Sequence, residues 1–156
     1  MSRAFVSEAA EEARAALLPE RPLSLHPNLV TPRGMALIEA EVAALRAALA
    51  AAPADDAARP RLARDLRYWQ ARRGSARLME PPPAASREVA FGSLVAVRRA
   101  GAASRFRIVG EDEADPAQSL LSWTSPLARA LMGAQVGDLV EVGNGRDAAG
   151  VEAIEG

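Results

Sequence analysis

The chain has 156 residues, a net charge of −1 and no cysteine, and aromatic residues make up only 4% of it. The near-neutral charge argues against general polyanion binding, so any contact with nucleic acid must come from a local patch. The lack of cysteine excludes disulfides and thiolate metal sites, and no segment reaches the roughly 18 apolar residues of a membrane span.

Residues 1–30 are predicted to form an N-terminal extension. They begin with too many acidic residues for a signal peptide, so we expect a cytoplasmic protein. The stretch from Ala9 to Leu18 is compatible with a short helix, but Pro19, Pro22 and Pro27 exclude regular helix after it. We therefore expect an extended arm that is ordered only where it docks on the rest of the chain.

Residues 31–80 carry the periodicity of two helices. Thr31 followed by Pro32 is typical of a helix start. Heptad-spaced residues of the first helix are Ile38, Val42, Leu45 and Leu49. The second helix is predicted from Pro60 to Met79, with a seam at Leu62, Leu66, Trp69, Arg73 and Ala76. Two helices of similar length and a short loop predict an antiparallel αα-hairpin.

Residues 81–86 form a stiff proline-rich linker, and after it the apolar period changes to two. Strands are predicted within 94–99, 106–108, 120–123, 138–142 and 151–154. A short helix from Pro126 to Met132 would be capped by Thr124 or Ser125 and ended by Gly133. The fold class is therefore α+β, with a small, mostly antiparallel domain over residues 87–156.

Several stretches of this last segment resemble, in order and spacing, the C-terminal domain of the Gre transcript-cleavage factor family. The matching pieces are Phe91 to Ser93, Phe106 to Asp115, Ser122, Ser125 to Leu131 and Val136 to Asp138. The segment from Val30 to Gly34 is similar to the start of the family's first coiled-coil helix. The resemblance implies an antiparallel coiled coil over residues 31–80 and an FKBP-like domain over 87–156.

The resemblance also implies a function in transcription. Family members bind bacterial RNA polymerase, with the C-terminal domain at the rim of the secondary channel and the coiled coil inside it. Such a chain has no active site of its own, and it stimulates the polymerase to cleave backtracked RNA by helping to hold a magnesium ion. That shared magnesium is the only cofactor implied. We expect a monomer without membrane contact whose polymerase-binding residues are Thr124, Ser125 and Pro126.

The acidic tip sequence usual in the family is absent, and two placements of the tip compete. Anchoring on Tyr68–Arg72 sets Arg61 and Arg64 where the acidic pair belongs, which would abolish the metal role. Hairpin symmetry instead sets Asp55 and Asp56 at the tip as candidate catalytic and magnesium-holding residues. We favour the second placement because the first makes the helices unequal. The alternative role for these aspartates is ordinary turn chemistry beside proline. Either placement leaves an arm shorter than the family's by roughly 10–15 Å.

The second helix is rich in arginine, which suggests a face for the RNA 3′ end or DNA phosphates. The candidates are Arg61, Arg64, Arg67, Arg72 and Arg73. The alternative is a solvated face that pairs with the acidic residues of the first helix. Tyr68 is open for base stacking, whereas Trp69 is expected in the core. The acidic run from Glu111 to Asp115 is expected to be a solvated turn.

Two rival functions stay open. The chain could occupy the channel without promoting cleavage and compete with true cleavage factors, which the short arm favours. Alternatively, it could be an FKBP-like interaction module that binds a partner other than the polymerase.

Overall fold

The structure is a computed structural model that describes residues 9, 10, 18–145 and 147–156. The helix expected between Ala9 and Leu18 lies mostly outside the described residues. Two compact units are present: one combines the described residues up to Leu25 with Ala36–Ser75, and the other combines His26–Met35 with the described residues of 76–156. Among the described residues, no helix is both long and apolar enough to cross a membrane.

Two helices account for residues 32–75. Helix α1 covers Pro32–Ala51 and helix α2 covers Arg59–Ser75. The predicted start of α1 is confirmed, because the Thr31 hydroxyl accepts a hydrogen bond from the Gly34 amide at 3.0 Å, as an N-cap does. The heptad positions are the sheltered ones: Ile38 and Val42 are buried, and Leu45 and Leu49 are half-buried.

Helix α2 ends earlier than the sequence predicts. The helix is predicted to end at Met79, but it ends at Ser75, directly after Gly74, a residue type that destabilises helices. The chain then enters strand β2, Arg77–Leu78, which pairs in parallel with β1, Leu29–Val30. The Arg77 and Met79 amides donate to the carbonyls of residues 28 and 30 at 2.8 and 2.9 Å. These amides are therefore not available for the hydrogen bonds that would extend α2.

The second unit contains a five-stranded sheet. Its strands are β3 (Leu94–Arg99), β4 (Ala102–Val109), β5 (Leu120–Ser122), β6 (Leu139–Val142) and β7 (Asp147–Glu155), in the order β5-β4-β3-β7-β6. All neighbours are antiparallel except β4 and β5. A short helix, α3, covers Pro126–Leu131. The predicted mixed α+β class and mostly antiparallel sheet are confirmed.

The core of this unit lies between the sheet and α3. Alternation along β3 and β4 turns every second side chain inward. The buried cluster consists of Val89, Phe91, Val95, Val97, Phe106, Ile108, Ala128, Leu131, Ala134 and Val151. A rigid core of this kind holds the loop before α3 in a defined position.

Candidate functional site

The two candidate tip carboxylates lie in the connection between α1 and α2. Asp55 and Asp56 are both exposed. One carboxylate oxygen of Asp56 accepts from the Ala58 amide at 2.8 Å, and the Asp56 carbonyl accepts from the Arg59 amide at 3.1 Å. Asp56 therefore performs the turn chemistry that is common for aspartate just before a helix.

The connection is held at its base by Arg59. Its Nη1 donates to the carbonyls of Leu49 and Ala52 at 2.9 and 2.8 Å. The Leu49 carbonyl lies in the last turn of α1 and the Ala52 carbonyl follows the helix directly, where carbonyls have no amide donor within the helix. One side chain at the start of α2 thus ties the two helix ends together.

The donor set in this loop limits what it can do with a metal. Among the described residues, no group of three or more His, Cys, Asp or Glu side chains could hold a metal ion. Two adjacent carboxylates offer the hard oxygen ligands that magnesium prefers. Two carboxylates are fewer than the three side-chain ligands of such a group.

The five candidate arginines of α2 are not equivalent. Arg61 and Arg67 are exposed, Arg64 and Arg73 are half-buried, and Arg72 is buried at 3% exposure. Arg64 also donates to its neighbour, Asp65, at 3.0 and 3.1 Å. Only part of the predicted basic face is therefore open to a phosphate. The assignment of these side chains to nucleic acid stays a prediction.

The loop before α3 is built from hydroxyl side chains. The Ser122 and Thr124 hydroxyl oxygens are 2.8 Å apart, and the Ser125 hydroxyl caps α3 by accepting from the Ala128 amide at 3.3 Å. The structure thus selects Ser125 from the two predicted caps. Pro126 follows in the first helical position and is exposed. On the inner side of α3, Ala128 and Leu131 have no exposed surface.

The largest departure from the sequence prediction is Glu113. It was expected in a solvated turn, but it is 5% exposed. Its carboxylate accepts from the Thr31 hydroxyl at 2.5 Å and from Arg33 Nη1 at 3.0 Å. The acid lies beside the N-terminus of α1, where negative charge is favoured by the helix dipole. The sequence contains one feature that relates to this contact. The helix start and the acidic run both belong to the stretches that resemble the Gre family, but their resemblance does not predict that they touch.

Close backbone approach reinforces this attachment. A Cβ on Gly110 would lie 2.4 Å from the Leu29 carbonyl oxygen, and a Cβ on Gly34 would lie 3.1 Å from a Glu113 carboxylate oxygen. Both glycines allow residues 28–34 to pack against the turn that follows β4. We call the set of Thr31, Arg33 and Glu113 the helix-start latch.

Comparison with known proteins links the C-terminal part of the chain to one family. Residues 84–155 match the family model for the transcription elongation factor GreA/GreB C-terminal domain. GreB of Yersinia pestis is 41% identical over 80 residues, covering 51% of this chain and 47% of that protein. GreA of Nautilia profundicola is 44% identical over 67 residues, covering 42% of this chain and 41% of that protein.

Solved structures of the same group show a weaker likeness. The GreA factor homolog Gfh1 of Thermus thermophilus has 22% identity and a TM-score of 0.39, over 84% of this chain and 100% of that chain. A GreA/GreB factor of Nitrosomonas europaea has 20% identity and a TM-score of 0.40, over 82% of this chain and 98% of that one. TM-scores this low do not define the fold.

The predicted resemblance is therefore confirmed. Residues 84–155 carry the match to the GreA/GreB C-terminal domain, and this match supports a Gre-like factor. Its matched relatives are transcription elongation factors. The matched region spans less than half the length of these two relatives.

Proposed function

We propose that the chain binds bacterial RNA polymerase and acts through its secondary channel as a Gre-type elongation factor. The observation that carries the proposal is the match of residues 84–155 to the GreA/GreB C-terminal domain. Two helices of 20 and 17 residues precede that domain, and in this proposal they form the arm that enters the channel. In this proposal the chain is not an enzyme, because it acts on the cleavage activity of the polymerase itself.

The polymerase-facing edge would be the loop of Thr124, Ser125 and Pro126. Pro126 is exposed, while the inner face of α3 is fully buried. The cap at Ser125 and the packing of α3 fix this loop before any partner binds. Preorganisation of this kind lowers the ordering cost of binding.

Asp55 and Asp56 would supply carboxylate oxygens to a magnesium ion held mainly by the polymerase. Both residues are exposed in the connection between the helices, so the described residues do not bury them away from a partner. Bound there, the ion would stabilise the charge that develops on the attacking and leaving oxygens during RNA hydrolysis. The chain's own contribution would be to orient these oxygens.

A second candidate is a channel-occupying regulator that does not promote cleavage. The hydrogen bond from the Ala58 amide to Asp56 favours it, since this oxygen already has a structural role. The helices are also short: 20 and 17 residues correspond to about 30 and 26 Å at 1.5 Å per residue. Such a protein would use the same grip and compete with cleavage factors.

The deciding experiment is an RNA cleavage assay on a backtracked elongation complex from the same organism, with polymerase binding measured in parallel. If the chain stimulates cleavage, the double change Asp55→Ala and Asp56→Ala should return the rate to that of polymerase alone and leave binding intact. The matched control is Glu39→Ala with Glu41→Ala, two exposed acids on α1. The control should keep both activities.

The outcomes separate the candidates. Binding without cleavage by the unaltered chain selects the regulator, and cleavage that survives loss of both aspartates refutes their role. Ser125→Asp tests the proposed contact of the loop with the polymerase. Aspartate is also a good helix cap, but it adds negative charge at the loop. The change should therefore weaken polymerase binding without loss of stability. Absence of any polymerase binding, with capture of another partner, would instead favour the FKBP-like interaction module.

A further inference from the structure

The end of the N-terminal extension lies against α2. We call residues 18–25 the strap; they belong to the same compact unit as α2. The Glu20 carboxylate accepts from Arg67 Nε at 3.0 and 3.1 Å and from Arg67 Nη2 at 2.5 Å. Arg21 Nη1 lies 3.7 Å from Asp65, and the Arg21 guanidinium carbon lies 3.9 Å above the centre of the Tyr68 ring.

These contacts occupy the groups on α2 best suited to a nucleotide. A guanidinium binds carboxylate and phosphate in the same forked geometry, so Glu20 takes the place that a phosphate would take on Arg67. A planar guanidinium over an aromatic face resembles a stacked base, so Arg21 takes the place of a base on Tyr68. Two successive strap residues thus reproduce a phosphate contact and a stacking contact.

The contacts are of a kind that an anion can displace. The side chains of Arg67 and Glu20 are 53% and 61% exposed, and exposed ion pairs are weak and screened by salt. The hydrogen bonds from Arg67 hold the pKa of Glu20 below its ordinary value of 4.5, so Glu20 is ionised at neutral pH. Arg61 is also exposed on α2, so a polyanion would meet a second cation on this helix once the strap moves.

We propose that residues 18–25 form a displaceable strap whose Glu20 pairs with Arg67 and whose Arg21 stacks on Tyr68, and that single-stranded RNA competes with the strap for Arg67 and Tyr68. The proposal rests on the function proposed above, since it assigns regulation to the arginines of α2 that the sequence predicts to face RNA. The strap would admit RNA only where the local RNA concentration is high, as it is inside the polymerase channel.

The test measures binding of a short fluorescent oligouridylate to the full chain over a series of salt concentrations. Glu20→Ala should tighten binding by about two- to fivefold, the range expected when one exposed ion pair no longer competes. It should also steepen the salt dependence by about 0.7, the slope for one more phosphate contact on a single strand. Adding Arg67→Ala to Glu20→Ala should remove both gains.

The control is Glu152→Ala, which removes the same charge from an exposed pair with Arg98 in the other unit. It should leave RNA affinity unchanged. Equal tightening by Glu20→Ala and Glu152→Ala would show a net-charge effect and overturn the strap, as would an unchanged Glu20→Ala variant or no RNA binding by any variant. Polymerase binding measured on the same variants tests the proposed function separately, since it can persist when the strap fails.

Discussion

Removing the Glu113 carboxylate should destabilise the unit that contains the sheet. The residue is 5% exposed and accepts two hydrogen bonds, from Thr31 and Arg33. A hydrogen bond to a charged group contributes about 1.5–3 kcal/mol. The Arg33 side chain is 52% exposed, so its share is discounted for screening. For Glu113→Ala we therefore expect a loss of about 2–3 kcal/mol in the free energy of unfolding.

The loss should appear in two measurements. Denaturant unfolding followed by circular dichroism should give the change in free energy, and the melting temperature should fall by about 8 °C or more. Hydrogen exchange should speed up first in residues 28–35, because the latch holds the start of α1. Glu113→Gln should lose less, since its amide oxygen can still accept from Thr31.

Glu152→Ala again serves as the matched control. Its pair with Arg98 has a short contact of 2.6 Å, but the two side chains are 41% and 53% exposed. Exposed pairs contribute about 0–1 kcal/mol. If Glu113→Ala lowers the free energy of unfolding no more than Glu152→Ala does, the buried pairing of Glu113 does not stabilise the protein. The helix-start latch would then not be a stabilising element.

Three further outcomes follow from single contacts. Gly110→Ala places a Cβ 2.4 Å from the Leu29 carbonyl oxygen and should lower the free energy of unfolding by about 1–3 kcal/mol. Gly74→Ala meets nothing within 4 Å and should not destabilise the protein. Denaturant unfolding of both variants measures the difference, and equal free energies would contradict the close approach. Ser125→Ala should lower the melting temperature through loss of about 1 kcal/mol of capping, while Ser125→Asp should not. The pKa of Glu20, measured by carbon NMR, should lie below 4.5. The contact between Glu20 and Arg67 should therefore persist above pH 4.5 and be lost as the pH falls through the lowered pKa. A titration midpoint at or above pH 4.5 would refute the pairing.

Short-range sequence patterns predicted the start and the buried face of α1. Thr31 and Pro32 marked the start of α1, and the heptad spacing marked Ile38 and Val42 as buried. Each of these signals acts over a few residues, because a cap bonds to an amide three positions away and a helix repeats its face every turn. The Gre resemblance added the class of protein, which no local pattern could give.

The sequence by itself therefore determined the α+β class, the positions of most helices and strands, and the Gre-like identity of the C-terminal domain. Only the tertiary structure decided that α2 ends before a strand at Arg77, that Glu113 is buried, and that Glu20 pairs with Arg67. Thr31 and Glu113 are 82 positions apart, and Glu20 and Arg67 are 47 apart. Such pairs form because packing brings distant segments together, and neither hydrophobic period nor capping pattern encodes which distant charge an acid will meet.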